Sequence, residues 1–228
     1  MLFHFDQNPV RSNVNSNYDF YSNHSIKLTG YHMKRSRTFI EGELRFSFSE
    51  DWLVRKYDAH TFYQGLSGIG LKGVDFIAVR PNRMVLIEVK NYQRFRNGRI
   101  RQSVADALEN PDKIGRRIAQ KANDTFRAME AIRAYYKRRL SYRLSYPFLR
   151  TFWWQWSDFS FWSHATDLAE HTQTVDFLVW VVTDRNDQDI MSVLAEIIDA
   201  HLEKPMRSIS ITNNMVDPIP GLIIEWAG

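Results

Sequence analysis

The stretch VDFIAVRPNRMVLIEVK, residues 74–90, decides the fold predicted for this chain. Two runs rich in Val, Ile, Leu and Phe flank the pair Pro81-Asn82, in which proline presets φ and asparagine tolerates left-handed backbone. This pattern predicts a β-hairpin with those two residues at the centre of its turn. Counting outward from the turn places Asp75 directly opposite Glu88.

The predicted hairpin gathers charged residues on one face. Side chains alternate along a strand, so Lys90 points to the same face as Glu88, and its partner position is Gly73, which leaves that corner open. Facing carboxylates have Cβ atoms about 4.5–5.5 Å apart and repel unless a cation neutralises them. Asp75, Glu88 and Lys90 therefore indicate a divalent-cation site. A surface ion pair is the alternative, but the runs are otherwise apolar, as in buried central strands, where charges have a partner or a metal.

Composition indicates a globular domain. The 228 residues are 44% hydrophobic and 25% charged, and the formal net charge of +4 favours a polyanionic partner. The chain contains no cysteine, which excludes disulfides and thiolate metal sites. Neither a signal peptide nor an apolar run long enough to cross a bilayer is visible, so we expect a cytoplasmic protein without a transmembrane segment.

An asparagine- and serine-rich segment, residues 1–25, predicts a loose N-terminal arm before a single domain at residues 26–228. Residues 38–48 carry apolar side chains at even positions, which favours one strand, with a helix as the alternative. The glycine-rich run at residues 65–73 lacks the order of a phosphate-binding loop and predicts a hinge.

The remaining pattern alternates strands and helices, which predicts an α/β fold with a sheet of mixed direction. Asn110-Pro111 is a helix start, because asparagine caps the helix and proline fits its first position. The predicted helices cover residues 110–139 and 188–202, and the predicted strands cover residues 52–57, 174–183, 208–212 and 222–226.

Basic residues cluster after the hairpin and at the start of the long helix. Those after the hairpin alternate with aromatic residues, a mixture that binds phosphates and stacks on bases, or forms a solvated loop. Those on the helix flank its buried stripe and would reach the rim of the site with the helix packed on the sheet. The residues that we predict to contact nucleic acid are Arg94, Arg96, Arg99, Arg117 and Lys121.

Residues 140–172 form an aromatic-rich insertion, and four tryptophans lie between residues 140 and 164 without a clear period. This stretch is interpreted as a base-stacking surface, a contact with a second copy or another protein, or a membrane-surface patch. The alternative is an irregular insertion packed on the core by its aromatic side chains.

Asp75 followed by IEVK (residues 87–90) on the next strand resembles the PD-(D/E)XK nuclease superfamily. The likeness is concentrated in residues 50–126, and KYD, VDF, IEVK and QKxxDT together look like a bacterial branch of it with no established substrate. Val74 stands where the name-giving motif has proline. The resemblance implies a three-layer, restriction-endonuclease-like core, in which helices flank a mixed central sheet.

The same resemblance implies a Mg²⁺-dependent nuclease that acts on nucleic acid, with DNA as the expected polymer and Mn²⁺ as a substitute cation. Asp75, Glu88 and the Val89 carbonyl would hold the metal. Lys90 would position or deprotonate the attacking water and stabilise the transition state. Gln120 would be an auxiliary catalytic residue. A further acidic ligand would come from Glu41, Glu43, Glu50 or Asp58.

A protein of a different class fits the same residues. It would be a catalytically silent interaction or assembly protein on the same fold, in contact with a partner through the aromatic insertion. Metal binding separates the two hypotheses.

Overall fold

The computed structural model describes residues 37–68, 70–93, 95–96, 99–100, 110–152, 158–171, 173–183, 188–213 and 219–227. Contacts assign Arg35–Gly228 to one unit, and the arm predicted at residues 1–25 lies outside the described residues. The strands are β1 (Arg37–Glu41), β2 (Leu44–Phe48), β3 (Leu53–Lys56), β4 (Phe76–Arg80), β5 (Arg83–Asn91), β6 (Phe95–Arg96), β7 (Arg99–Ile100), β8 (Val175–Val182), β9 (Ser208–Thr212) and β10 (Leu222–Trp226). The helices are α1 (Thr61–Ser67), α2 (Pro111–Lys137), α3 (Leu140–Phe152), α4 (Asp158–Ala169) and α5 (Gln188–His201).

The central sheet has five strands in the order β3-β4-β5-β8-β9. Strand β4 is antiparallel to both β3 and β5, whereas β8 is parallel to both β5 and β9. The predicted α/β class and the mixed direction of the sheet are confirmed. Strand β8 is buried along its whole length, as expected of a central strand covered on both faces.

The hairpin of β4 and β5 has the predicted turn. Arg80 pairs with Arg83, which leaves residues 81–82 as the loop, and the ladder continues to the pair Phe76 and Ile87. The sequence was sufficient to predict this turn because the turn residues and the apolar runs on either side of them all indicate the same register.

The regular register is broken at the far end of the hairpin. The Asp75 N–H donates to the Ile87 carbonyl at 3.0 Å, and Phe76 also pairs with Ile87. The Asp75 carbonyl accepts instead from the N–H of Tyr57, at 2.8 Å. Asp75 therefore does not sit directly opposite Glu88 as predicted, because its backbone is shared between two neighbouring strands in the manner of a bulge.

The single strand or helix predicted over residues 38–48 is wrong, since β1 and β2 form a second hairpin there. Gly42, with φ of +60°, lies in the two-residue turn and adopts a backbone conformation that glycine favours. A two-residue turn reverses which positions face inward, so Phe39 packs on the core from β1 while Ile40 is exposed. The even-position pattern holds only within β2.

The two faces of the central sheet are covered differently. Side chains of α2, α4 and α5 pack in one core cluster, and β1, β2 and β10 form a three-stranded antiparallel sheet whose residues pack in the other. The predicted mixed sheet flanked by helices is confirmed, and these three helices pack on one of its faces. Strands β5, β8 and β9 follow one another in the same direction across the sheet, and right-handed crossovers then place their connecting helices on one face.

Helix α2 begins and packs as predicted. The Asn110 side chain caps it by accepting from the Lys113 N–H at 3.1 Å, and Pro111 is its first residue. Its predicted stripe is buried in the helical core cluster: Ile114, Ile118, Ala122, Phe126, Met129, Ile132 and Tyr136. None of the helices in the described part of the chain is both long and apolar enough to span a membrane.

The aromatic-rich insertion is largely helical, which corrects the irregular course expected from its lack of a clear period. Helices α3 and α4 occupy most of residues 140–169. Phe159, Phe161 and Trp162 are buried in the core cluster beside α2, so these three rings are unavailable for base stacking. The other tryptophans of the insertion, residues 153, 154 and 156, lie outside the described residues.

The glycine-rich run also departs from the predicted hinge. Helix α1 takes up residues 61–67, including Gly65. Gly73 is buried, and a Cβ there would lie 2.5 Å from Cε1 of Tyr57. Close packing against an aromatic ring, rather than flexibility, therefore explains the glycine just before the hairpin.

Candidate functional site

Asp75 and Glu88 meet on the helical face of the central sheet. Glu88 has no exposed surface and Asp75 is 8% exposed. The Asp75 carboxylate accepts a hydrogen bond from the N–H of Val89 at 2.6 Å, which ties the residue before β4 to the end of β5. Two carboxylates are thus held at the open end of the β4–β5 hairpin, on the face predicted from the alternation of side chains.

Two lysines complete this cluster. The Lys90 ammonium contacts Oε1 of Glu88 from the same strand. Lys121, on α2, places its Nζ 2.7 Å from Oε1 of Glu88 and 3.7 Å from Oδ1 of Asp75. Two negative and two positive groups therefore balance one another in a largely buried quartet.

Burial and the neighbouring charges together shift the pKa values of Glu88, Asp75 and Lys121. Burial raises the pKa of Glu88, and the nearby Asp75 raises it further, while Lys90 and Lys121 oppose both effects. Burial likewise raises the pKa of Asp75 against the influence of Lys121. For Lys121, burial would lower the pKa, but Glu88 and Asp75 outweigh it and the pKa is raised, so Lys121 is a cation at neutral pH.

Hydrogen bonds fix Lys121 relative to the chain that leads into Asp75. Thr125 Oγ1 donates to the Lys121 carbonyl at 2.7 Å and accepts from the N–H of Val74 at 3.1 Å. Asp124 accepts from the N–H of Lys72 at 3.2 Å. Both Thr125 and Asp124 are buried, so this connection is shielded from water and sets the spacing between helix and hairpin.

A second acidic group adjoins the first through Asp75. Carboxylate oxygens of Glu41, Asp58 and Asp75 lie within 4.8 Å of one another. Lys56 pairs with Glu41 at 2.7 Å. Burial raises the pKa of Asp58. Of the acidic residues considered as a further ligand, Glu41 and Asp58 are brought to the site.

The oxygen atoms of the site suit a hard divalent cation. Within the described residues, Oε2 of Glu88 and Oδ1 of Asp58 are buried and accept no hydrogen bond. Such atoms carry a desolvation cost that a ligand would relieve. Mg²⁺ binds carboxylate and carbonyl oxygens with octahedral geometry and retains several waters. Asp75, Glu88 and the Val89 carbonyl could hold it, with Asp58 adjacent.

The other predicted residues are placed less centrally. Gln120 and Arg117 are exposed on α2, and it is the neighbouring Lys121 that reaches the carboxylates. Arg96 and Arg99 pair across the short β6–β7 hairpin that follows β5. Arg94 lies outside the described residues.

Tyr92 is a residue of the site that the sequence did not single out. Its N–H donates to the Val182 carbonyl at 2.7 Å, which aligns it along β8 beyond the end of β5. Burial, followed by the nearby Glu88, raises the pKa of Tyr92 to about 12, so its hydroxyl stays protonated and can donate a hydrogen bond. Its position two residues after Lys90, on the same face, was the signal that could have identified it.

Comparison of the chain with models of protein families, with curated proteins and with solved structures finds no significant match. Function is therefore inferred from the geometry and chemistry of the site.

Proposed function

We propose that the protein is a Mg²⁺-dependent nuclease on a restriction-endonuclease-like core, hydrolysing phosphodiester bonds of nucleic acid. The observation that carries this proposal is the convergence of buried Asp75 and Glu88 with Lys90 and Lys121 at the end of one hairpin. Carboxylates buried without a full set of hydrogen bonds are costly to folding, so a functional role explains their presence better than stability does.

Asp75, Glu88 and the Val89 carbonyl are the proposed ligands of the metal, and Asp58 is the proposed additional ligand. When bound, Mg²⁺ supplies charge stabilisation at the scissile phosphate and lowers the pKa of water. The Val89 N–H orients the Asp75 carboxylate through its hydrogen bond, which leaves the other Asp75 oxygen toward Lys121. Mn²⁺, with similar ligand preferences, is the expected substitute.

Lys90 is proposed to act on the phosphate and the attacking water. Lys90 is 27% exposed at its side chain, so its ammonium reaches both the buried Glu88 and the solvent side of the site. There it positions the water and stabilises the negative charge that develops on the phosphoryl oxygens. Tyr92, protonated at neutral pH, is placed to donate a further hydrogen bond nearby.

Nucleic acid is the proposed substrate, with DNA as the first polymer to test. Arg117 and Gln120 are exposed on the part of α2 that carries Lys121, and the β6–β7 hairpin with Arg96 and Arg99 follows β5 directly. Contacts from these residues to the phosphate backbone would give affinity that falls with salt and depends little on sequence.

The test is incubation of the purified chain with single- and double-stranded DNA and RNA, in Mg²⁺, Mn²⁺ or EDTA. We expect at least one polymer to be cut with either metal and none with EDTA. A matched preparation of Asp75→Asn controls for contaminating nucleases, since it changes one atom of a carboxylate. Cleavage that continues in EDTA, or that Asp75→Asn carries out at the rate of the wild type, would refute the proposal of a metal-dependent nuclease.

A silent interaction protein is the second candidate, favoured by one observation. Leu140 and Leu144 are 66% and 69% exposed, one helical turn apart on α3. Exposed apolar side chains at that spacing suit contact with a protein partner or a second copy of the chain. Absence of divalent-cation binding by the wild-type chain, together with self-association that Leu144→Ser abolishes, would favour this candidate.

A further inference from the structure

Lys121 occupies the space between the two proposed metal ligands. Its Nζ lies 2.7 Å from Oε1 of Glu88 and 3.7 Å from Oδ1 of Asp75. A divalent cation that bridges these carboxylates would approach their oxygens to about 2.1 Å. Two cations would then stand within a few ångströms of each other in a site with little water, where their repulsion is strong.

The two lysines differ in which carboxylates they join. Lys90 pairs with Glu88 and not with Asp75, and it extends from the same strand as Glu88, two residues away. Lys121 instead bridges both carboxylates from a separate helix, and its side chain is 24% exposed. Its four-carbon stem can therefore swing toward solvent while the backbone stays fixed by Thr125, whereas the fully buried Glu88 has no such exit.

The charge of the quartet changes with this movement. With Asp75, Glu88, Lys90 and Lys121 ionised, the group is neutral, which gives little attraction for a phosphate. A divalent cation in place of the Lys121 ammonium would raise the charge of the site by one unit and release that ammonium to the solvent side. A phosphodiester would then meet both the added positive charge and a lysine without its carboxylate partners.

We propose that the Lys121 ammonium occupies the metal site in the absence of metal and holds Asp75 and Glu88 together. A divalent cation displaces this ammonium, and Lys121 then binds the substrate phosphate. The inference rests on the proposed function and adds an order of events: metal binding comes first and phosphate binding follows. Lys121 consequently lowers the affinity for metal while it raises the affinity for substrate.

Calorimetric titration of Mn²⁺ into the full chain tests the competition. We expect Lys121→Met to bind Mn²⁺ about tenfold more tightly than the wild type, because the bridging ammonium no longer has to leave. Lys113→Met is the matched control, an exposed lysine earlier on the same helix, and should bind within twofold of the wild type. Equal or weaker binding by Lys121→Met in a folded preparation would overturn the inference.

Lysine labelling of the wild type tests the same movement without any substitution. Acetylation of Lys121, followed by mass spectrometry, should become faster relative to Lys113 when Mn²⁺ is added. An unchanged ratio would overturn the inference. Titration of the Asp75→Asn variant with Mn²⁺ separates the role of Lys121 from the proposed function. If the variant binds Mn²⁺ as the wild type does, the metal site and the proposed function are both wrong. If its binding is weakened, the metal site stands, and the two tests above decide the role of Lys121 alone.

Discussion

Nζ of Lys121 lies 2.7 Å from Oε1 of Glu88, joining helix α2 to the end of strand β5. The contact depends on a helix capped at Asn110 and on a buried stripe that sets the rotation of that helix. It also depends on a strand that is apolar up to Ile87 and then carries Glu88. Each of these is a local consequence of sequence, but their meeting is a property of the fold. The electrostatics of the site are thus built by packing of the helix on the sheet.

Replacement of Glu88 by glutamine should separate function from stability. We expect Glu88→Gln to slow metal-dependent cleavage by about 100-fold or more, because a proposed ligand is lost. The free energy of unfolding should stay within about 1 kcal/mol of the wild type or rise, since burial raises the pKa of this carboxyl and a neutral amide avoids that cost. Urea denaturation checks this, and a loss above about 3 kcal/mol would mark Glu88 as structural.

Thr125 should influence both folding and the site. In Thr125→Val the buried N–H of Val74 loses its acceptor, which should lower the free energy of unfolding by about 1–3 kcal/mol. Because the same hydroxyl also bonds the Lys121 carbonyl, cleavage should fall about tenfold through misplacement of the helix. Thr125→Ser retains the hydroxyl and is the control. Indistinguishable valine and serine variants would contradict this role.

Asp176 should make stability depend on pH. It is 3% exposed, and although burial would raise its pKa, hydrogen bonds from Arg207, Ser208 and Arg83 outweigh burial and lower the pKa. A carboxyl whose pKa is lowered by folding stabilises the protein fully above the ordinary value of 3.8, and that contribution is lost as pH falls through the folded pKa.

Accordingly, Asp176→Asn should lower the free energy of unfolding by about 2 kcal/mol at pH 7, less than for a fully buried pair because solvent screens the half-exposed Arg207. The difference from the wild type should shrink below the ordinary aspartate pKa. Glu225→Gln, which removes an exposed ion pair, serves as the control and should change stability by less than about 0.5 kcal/mol. A deficit that is constant with pH would contradict the ionic origin.

Two glycine-to-alanine substitutions should have opposite effects. A Cβ on Gly73 would lie 2.5 Å from the Tyr57 ring, so Gly73→Ala should destabilise the protein by about 1–3 kcal/mol. Apart from the backbone of α1 and the two adjacent residues, no described atom lies within 4 Å of a Cβ on Gly65, so Gly65→Ala should stabilise it by about 0.5–1 kcal/mol. Thermal unfolding measures both, and equal effects would show that Gly73 is not tightly packed.

The parts of the fold that follow from local chemistry could be predicted from the sequence. The turn at residues 81–82 and the cap at Asn110 each combine a residue of defined backbone preference with a regular apolar pattern on its flank. The common face of Asp75, Glu88 and Lys90 follows from the alternation of side chains along a strand. These features need no knowledge of which elements become neighbours.

The features that were missed depend on tertiary contacts. At the break in register, the N–H of Asp75 bonds Ile87 of β5 while its carbonyl bonds Tyr57, the residue after β3, and no local pattern encodes this contact. The bridging position of Lys121 requires the exact rotation and height of α2 over the sheet, and spacing alone did not distinguish it from Gln120. The inward-facing positions change from odd in β1 to even in β2 at the turn that contains Gly42. The continuous even-position pattern of the sequence therefore did not reveal this hairpin.

The most direct test is the rate of cleavage of a labelled nucleic acid under single-turnover conditions, for the wild type, Asp75→Asn and Lys90→Met, with Mg²⁺ and with EDTA. The nuclease proposal predicts cleavage by the wild type with Mg²⁺, none with EDTA, and rates about 100-fold or more lower for both variants. Cleavage by either variant at the rate of the wild type, or no cleavage of any DNA or RNA by a metal-bound wild type, would contradict it.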